Sequence, residues 1–214
     1  MDCGAEIELA AYTDGDPPPG ARVEEIEEGW EDRWREFHRP VRVGPFWIGP
    51  PWETPPDDIV SIVIDPGRAF GTGAHPTTQL CLGLVADLAP ASLIDVGCGS
   101  GVIAIAAALL DFEPVTALDD DPAAVDATVR NAAVNGVMLE VREVDVTTDP
   151  LPHAAVVVAN VSLRIVEALL PRLDAAIVVA SGYLEAEEPR FGPFVRRERR
   201  VLDGWAADVL HRGQ

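Results

Sequence analysis

The sequence predicts an α/β fold, in which a mostly parallel sheet has helices on both faces and ends in an antiparallel C-terminal hairpin. From residue 67 onward, short apolar runs alternate with segments of helical periodicity, which is typical of successive β-α-β units. The segments at residues 194–202 and 205–212 are joined by Asp203-Gly204, a dipeptide that favours a two-residue hairpin turn. Hydrophobic residues make up 48% of the chain, so it can bury a sizeable core.

The strands and helices of this fold can be placed in order along the chain. Five strands are predicted at residues 93–96, 115–119, 139–144, 155–159 and 176–181. Four helices are predicted at residues 77–88, 102–110, 122–135 and 162–170. The bounds of the third helix follow from Pro122, which fits a first helical turn, and from Gly136, which fits the position just past a helix end.

The first 66 residues differ in composition from the rest, since they hold 10 of the 19 prolines and four of the five tryptophans. Three consecutive prolines predict a linker or turn over residues 13–20. Over residues 21–37 apolar side chains recur at helical spacing, which predicts a helix with one apolar face. We expect this face to pack on the main domain, with binding to a partner as the less favoured alternative. The predicted organisation is a short N-terminal segment at 1–20, a linker helix with leading strands at 21–66, and the main domain at 67–214.

The charge balance limits the classes of partner. The chain has 214 residues with 36 acidic and 16 basic side chains, a formal net charge of -20, and every basic side chain is an arginine. This acidity repels polyanions, which disfavours nucleic acid and leaves small ligands and basic proteins as the favoured partners. Because the chain contains no lysine, a catalytic lysine, a Schiff base and a P-loop lysine are excluded.

Cysteine usage and hydropathy predict a soluble protein of the cytoplasm. The three cysteines, Cys3, Cys81 and Cys98, form no Cys-x-x-Cys pair, so neither a disulfide framework nor a metal site is expected. The N-terminal residues lack the basic and apolar regions of a signal peptide. The longest apolar run, at residues 102–110, is far shorter than the ~20 residues that a membrane-spanning helix needs.

A glycine-rich turn follows the first predicted strand of the main domain, in the sequence LIDVGCGSG. Gly97, Gly99 and Gly101 allow the backbone to approach a ligand closely, and the start of the next helix presents free N–H groups. The dinucleotide fingerprint requires its third glycine where this chain has Val102, which disfavours a hydride-transferring dehydrogenase. Asp95 adds an acid beside the turn, and this arrangement suits a cationic cofactor that carries an amino-acid group.

Two further acids come at predicted strand ends. Asp119 lies 22 residues after Gly97, where such folds place an acid that binds ribose hydroxyl groups. The adjacent Asp120 and Asp121 are interpreted as helix-capping or solvated charges. Asp145 closes the third predicted strand and is a candidate acceptor for the amino group of adenine.

These residues resemble a known family. LIDVGCGSG, the acid in LDDDP and the C-terminal hairpin are similar to the class I S-adenosylmethionine-dependent methyltransferases, which implies their Rossmann-like sheet. VIDPGRAFGTGAHPTT at residues 63–78 and VVVANV at residues 156–161 resemble, more narrowly, the PrmA-type enzymes that methylate ribosomal large-subunit protein eleven. The likeness covers about residues 21–212. It implies transfer of a methyl group to amino groups of a protein, a ribosomal protein among the candidates, with S-adenosylmethionine bound at positions matching Thr78, Gly97, Asp119 and Asn160.

The loop at residues 72–78 fits this implication, because its Gly- and Thr-rich backbone leads into a helix and can bind a carboxylate. Thr78 is expected to supply a hydroxyl group and Phe70 an apolar wall. His75 lies in the same loop, and we favour a role in ordering the loop over acid–base chemistry. Cys98, within the glycine turn, is expected to pack structurally.

Asn160 is expected at the mouth of the site, where its amide group can position donor and acceptor. It is followed by Val161-Ser162 and not by the Pro-Pro-aromatic sequence of nucleobase amino methyltransferases, which disfavours that class of substrate.

The substrate is less well predicted than the cofactor. PrmA-type enzymes have a separate N-terminal substrate domain, whereas only about 20 residues precede the linker helix of this chain and would be a remnant of it. One alternative is therefore a non-catalytic cofactor-binding module. Another is a methyltransferase of small molecules or RNA, for which the single feature is a cluster of arginines that we interpret first as a solvated hairpin face: Arg190, Arg196, Arg197, Arg199 and Arg200. The sequence leaves the oligomeric state open.

Overall fold

A computed structural model describes residues 39–65 and 71–213. The predictions for the N-terminal segment, for the linker helix at residues 21–37 and for Phe70 lie outside these residues. Among the helices of the described part, none has the length and apolar character needed to cross a membrane.

A small three-stranded sheet precedes the main sheet and belongs to the same compact unit, His38–Gln214. Strands β1 (Val41–Val43) and β2 (Phe46–Gly49) form an antiparallel hairpin, and β3 (Val60–Val63) pairs in parallel with β2. All four residues of β2 are buried, and Phe46 and Ile48 belong to an apolar core that they share with the main sheet.

Seven strands form the main sheet, in the order β6-β5-β4-β7-β8-β10-β9. Their bounds are β4 Leu93–Val96, β5 Val115–Asp119, β6 Glu140–Glu143, β7 Val156–Asn160, β8 Ile177–Leu184, β9 Phe194–Leu202 and β10 Trp205–Arg212. Strands β4 to β8 all run in the same direction, and β10 lies between β8 and β9, antiparallel to both. The predicted mostly parallel sheet with a C-terminal antiparallel hairpin is confirmed.

The described part of the chain contains four α-helices, α1 Pro76–Ala86, α2 Val102–Leu109, α3 Pro122–Val134 and α4 Leu163–Leu169, and a 3₁₀ turn at Leu170–Arg172. Alternate strand residues enter two apolar cores on opposite faces of the sheet. In β7, Val156 and Val158 join the core that contains α1 and α2, whereas Val157 and Ala159 join the core that contains α4. This alternation is what a sheet covered on both faces requires.

Strand β8 extends three residues beyond its predicted end at residue 181. Its ladder with β10 pairs Ser181 with Ala207 and Tyr183 with Ala206, so Gly182 is left out of the pairing as a bulge. A glycine inside a strand pattern suggests that the strand ends there, which is why the predicted end at residue 181 was too early. The bulge at Gly182 lets the hydrogen-bond ladder continue past it.

Candidate functional site

A cavity of about 390 Å³ lies at the carboxyl ends of β4, β5 and β7. Cavities that bind small molecules have volumes of about 300–1,000 Å³, and in open parallel sheets they lie at this edge. Five of the predicted site residues line the cavity together: Thr78, Gly97, Gly99, Asp119 and Asn160.

The glycine turn approaches the cavity closely because side chains would not fit there. Gly97, Gly99 and Gly101 all have left-handed φ angles, of 69°, 55° and 82°. A Cβ atom on Gly97 would lie 2.4 Å from Cγ1 of Val161, and one on Gly101 would lie 2.8 Å from Cγ2 of Thr128. Val161 and Thr128 therefore lie directly against Gly97 and Gly101, and neither position has room for a side chain.

Most N–H groups of the glycine turn itself form hydrogen bonds within the protein. The N–H groups of Gly97 and Cys98 donate to the carbonyl of Leu118 (2.8 and 3.0 Å), and that of Gly101 donates to the carbonyl of Cys98 (2.8 Å). The N–H of Gly99 donates to Oδ2 of Asp119 (2.9 Å). These N–H groups already bond within the protein. The turn therefore lets a ligand approach closely but does not offer these groups as donors to a phosphate.

The carboxylate of Asp119 is fixed between the glycine turn and α3. Besides the bond from Gly99, its Oδ1 accepts a hydrogen bond from the N–H of Asp121 (3.1 Å). Each oxygen keeps lone pairs for a ligand hydroxyl group. Asp121 itself caps α3 by accepting from the N–H of Ala123 (2.9 Å), as expected for one of the two neighbouring acids.

Asp120 is exposed, which agrees with its interpretation as a solvated charge, and it also lies in the cavity lining. Its position between the end of β5 and the cap of α3 places it there. Among the residues that the structure describes, the charged ones in the cavity lining are Asp119, Asp120 and Asp121. The site therefore favours a ligand with positive charge.

Asp95 is buried in β4 and does not itself line the cavity. Its Oδ2 accepts from the N–H of Ala104 (3.1 Å), and its Oδ1 has no hydrogen-bond partner among the described residues. Burial raises the pKa of Asp95 to about 7; the Ala104 amide opposes this shift and the charge of Asp119 adds to it.

Asp145 also lies outside the cavity lining. Its Oδ1 accepts from both the hydroxyl and the N–H of Thr147 (2.6 and 2.8 Å), and these bonds hold the pKa of the carboxyl below its ordinary value. The carboxylate is thus engaged in its own turn.

Thr78 and Asn160 meet at the far side of the cavity. Thr78 is buried in α1, and its Oγ1 accepts a hydrogen bond from Nδ2 of Asn160, at the end of β7 (3.3 Å). This bond orients the amide group of Asn160 and leaves its acceptor oxygen available.

His75 caps the N-terminus of α1. Its Nδ1 accepts from the N–H of Thr77 (3.3 Å) and lies 2.8 Å from the Thr77 hydroxyl oxygen. The ring also contacts Trp205 edge-on, with a centroid distance of 4.9 Å. These contacts favour the interpretation that His75 orders the loop.

Cys98 lines the cavity as a neutral thiol, because burial raises its pKa to about 12. Its Sγ lies 3.3 Å from the hydroxyl oxygen of Thr128, which is consistent with a packing role. Within the described part of the chain, no group of three or more His, Cys, Asp or Glu side chains is arranged to hold a metal ion.

The arginine cluster of the C-terminal hairpin is largely neutralised. Arg199 forms a two-pronged pair with the fully buried Asp208 (both distances 2.9 Å), and Arg200 pairs with Asp87 (2.7 Å). Arg190 and Arg196 each pair with a glutamate at 3.0 Å. The pairs support a solvated hairpin face over a polyanion-binding patch.

A family model described as ribosomal protein L11 methyltransferase (PrmA) matches residues 6–188. The ribosomal protein L11 methyltransferase of Alkalilimnicola ehrlichii is 40% identical over 186 residues, which cover 81% of this chain and 63% of that protein. That of Pseudomonas aeruginosa is 41% identical over 195 residues, which cover 85% of this chain and 66% of that protein. This chain therefore spans slightly less than two thirds of the length of these curated relatives.

A solved structure of similar fold also carries the name of this family. The crystal structure of a ribosomal protein L11 methylase from Lactobacillus delbrueckii subsp. bulgaricus has a TM-score of 0.75 and 28% identity, and the match covers 83% of this chain and 100% of that one. The resemblance that the GTGAHPTT and VVVANV segments indicate is thus confirmed by a family model and by relatives at about 40% identity. The chain belongs to the ribosomal protein L11 methyltransferase (PrmA) family.

Proposed function

We propose that this chain binds S-adenosylmethionine and transfers its methyl group to amino groups of a protein, with ribosomal protein L11 as the first candidate acceptor. The observation that carries the proposal is one cavity that joins the fixed carboxylate of Asp119, the glycine turn and the Thr78–Asn160 pair. The names of the family and of the relatives supply the candidate acceptor.

The residues present fit this cofactor. Asp119 would accept hydrogen bonds from the ribose hydroxyl groups, and Gly97 and Gly99 leave space for the ligand beside it. Thr78 offers a hydroxyl group to the cofactor. Asp95 is proposed for the ammonium group of the cofactor's amino-acid end, but its unpartnered oxygen is buried behind the lining, so this contact requires the glycine turn to shift when the cofactor binds. The acidic lining suits the net positive charge of the cofactor.

Three further assignments belong to the same proposal. Asn160 would position the acceptor at the cavity mouth. Phe70 is proposed as an apolar wall, and Asp145 as a contact to adenine; Asp145 would have to share its carboxylate with Thr147, which makes it the weakest of the set.

When bound, S-adenosylmethionine supplies an electrophilic methyl group on a sulfonium. The protein's own contribution is to position the acceptor, which can supply ~7–11 kcal/mol in favourable systems. A lysine acceptor, with a pKa of about 10.4 in water, must be neutral to react, and desolvation at the cavity mouth would lower that pKa. A water molecule or a side chain at the cavity mouth would take the proton that the acceptor loses.

A protein acceptor fits the chain better than a nucleic acid. The net charge of -20 attracts a basic protein and repels RNA. Four of the five clustered arginines pair with carboxylates, so they offer little to phosphate groups. A ribosomal acceptor also agrees with the predicted location in the cytoplasm.

The test is incubation of the chain with methyl-labelled S-adenosylmethionine and purified ribosomal protein L11, followed by peptide mass spectrometry. We expect label on amino groups of L11 and its loss with Asp119→Ala. Since the chain has no lysine, labelled lysine cannot come from the protein itself. Cofactor binding without transfer to L11 or to a ribosomal protein mixture would indicate a non-catalytic module, and label in ribosomal RNA would indicate the wrong acceptor class.

A further inference from the structure

Three polar side chains, two on α3 and one on its C-terminal cap residue, reach other segments of the chain. Thr128, Asn131 and Asn135 follow one another at spacings of three and four residues, so they lie on the same side of the helix. Thr128 and Asn131 are 0% and 2% exposed, and the hydroxyl of Thr128 donates to the carbonyl of Gly99 (3.1 Å). The helix is therefore bonded directly to the glycine turn.

Asn131 joins two segments with one amide group. Its Nδ2 donates to the carbonyl of Ser100 in the glycine turn (2.8 Å), and its Oδ1 accepts from the N–H of Asp65 beyond β3 (3.2 Å). Ser100 in turn donates its hydroxyl hydrogen to the carbonyl of Gly71, which lines the cavity (2.5 Å). Asn131 thus holds the turn from behind, outside the cavity.

Asn135 makes equivalent bonds without touching the turn. Its Oδ1 accepts from the N–H of Val63 (2.8 Å), and its Nδ2 donates to the carbonyls of Val63 (2.7 Å) and Asn131 (2.8 Å). The two asparagines therefore anchor the same end of the small sheet to the same helix, and only Asn131 also reaches the glycine turn.

We propose that Asn131 is a positioning residue that sets the geometry of the cofactor-binding turn through Ser100. The inference rests on the proposed function, namely that this cavity binds S-adenosylmethionine. A turn built on three glycines has many accessible conformations when it is not held. Without the bond to Ser100, part of the cost of ordering the turn falls on ligand binding, so affinity drops although no lining residue has changed.

The test compares Asn131→Asp with Asn135→Asp in the full chain. Each substitution keeps the side-chain shape and one acceptor, removes the amide donors and introduces the same charge. The measurements are the Kd for S-adenosylhomocysteine by calorimetry and the Tm of the ligand-free protein. We expect both variants to lower the Tm, but only Asn131→Asp to raise the Kd, by about tenfold.

The ratio of the Kd of each variant to that of the wild type at the same pH supplies a second readout, because Asp95, with a pKa of about 7, changes the wild type in the same range. Protonation of the introduced carboxyl at position 131 restores a donor to Ser100, so the ratio for Asn131→Asp should fall toward one between about pH 8 and about pH 6, whereas the ratio for Asn135→Asp should stay near one throughout. If Asn131→Asp does not fold, the uncharged pair Asn131→Ala and Asn135→Ala gives the same comparison. Equal changes in Kd within a pair overturn the inference, whereas failure of the wild type to bind overturns the proposed function instead.

Discussion

Asp119 is oriented before any ligand binds, because backbone N–H groups of Gly99 and Asp121 hold its two oxygens. Replacing it with alanine should remove two charge-assisted bonds to hydroxyl groups, each worth about 1.5–3 kcal/mol, and weaken cofactor binding at least about 100-fold. Calorimetric titration with S-adenosylmethionine measures this loss.

Asp126→Ala is the matched control for Asp119→Ala. It removes the same charge from an exposed position on α3 that does not line the cavity, so its Kd should stay within about twofold of the wild type. Similar losses in the two variants would mean that bulk acidity, and not the fixed carboxylate, governs the affinity.

Asp95 makes the stability of the ligand-free protein depend on pH. Its folded-state pKa of about 7 exceeds the ordinary value of 3.8, so the folded state holds this proton more tightly than the unfolded state does. The contribution of Asp95 to stability therefore falls as the pH rises from about 4 to about 7, and the penalty is complete above that range.

Asp95→Asn should remove the pH-dependent penalty that the Asp95 carboxyl group places on the stability of the protein. We expect the Tm of the ligand-free variant to exceed that of the wild type above about pH 7, with the difference shrinking toward about pH 4. Thermal unfolding across this range measures it. If the Tm values of the wild type and of Asp95→Asn change in parallel with pH, the pKa of Asp95 in the folded state is not raised, which contradicts this prediction.

At the scale of elements, the start of α1 depends on His75 as its cap. His75→Ala should cost about 1 kcal/mol in the free energy of unfolding, which is a typical value for a lost N-cap. His75→Asn supplies another capping acceptor and should recover most of this stability. Urea unfolding measures the free energy of unfolding of both variants. The rate of methyl transfer by His75→Asn then separates capping from catalysis. A severe loss of rate in a stable variant would assign His75 an acid–base role.

The loop between β7 and α4 packs against the bulge in β8. A Cβ atom at Gly182 would lie 1.9 Å from the carbonyl oxygen of Val161, the residue after Asn160, and the φ of Gly182 is 99°. Gly182→Ala should therefore destabilise the protein by about 2–4 kcal/mol, combining overpacking with backbone strain. It should also slow methyl transfer, because Val161 must shift.

Gly136→Ala is the control for this prediction. Gly136 has a φ of 66°, but a Cβ atom there would meet nothing within 4 Å, so the substitution should cost only about 1 kcal/mol. Chemical unfolding of both variants measures the difference. Equal costs would show that backbone strain accounts for the effect and that contact with Val161 does not.

Across the whole molecule, the sequence predicted best where local patterns are strong. The bounds of β4, β5 and both hairpin strands were correct, because continuous apolar runs or a turn dipeptide mark them. The pairing within the small sheet was not predicted, since its parallel β2–β3 contact depends on tertiary packing.

The same distinction holds for the site. The predicted strand ends correctly brought Asp119 and Asn160 to one cavity. No local sequence pattern shows that the N–H of Gly99 donates to Asp119, or that Asp145 accepts hydrogen bonds from Thr147. The bonds of Asn131 and Asn135 were missed because they join positions that lie 31, 66 and 72 residues apart in the sequence.

Charge is distributed unevenly over the molecule. Arg199 and Arg200 of the hairpin pair with carboxylates, whereas the charged residues in the described part of the cavity lining are three aspartates. The net charge of -20 therefore acts at the cavity as an attraction for a cationic ligand.

Titration of the full chain with S-adenosylmethionine tests the central claim most directly. The account predicts saturable binding of one cofactor molecule per chain, displaced by S-adenosylhomocysteine and not by NAD. Absence of binding at millimolar cofactor, or binding of NAD in its place, would contradict it.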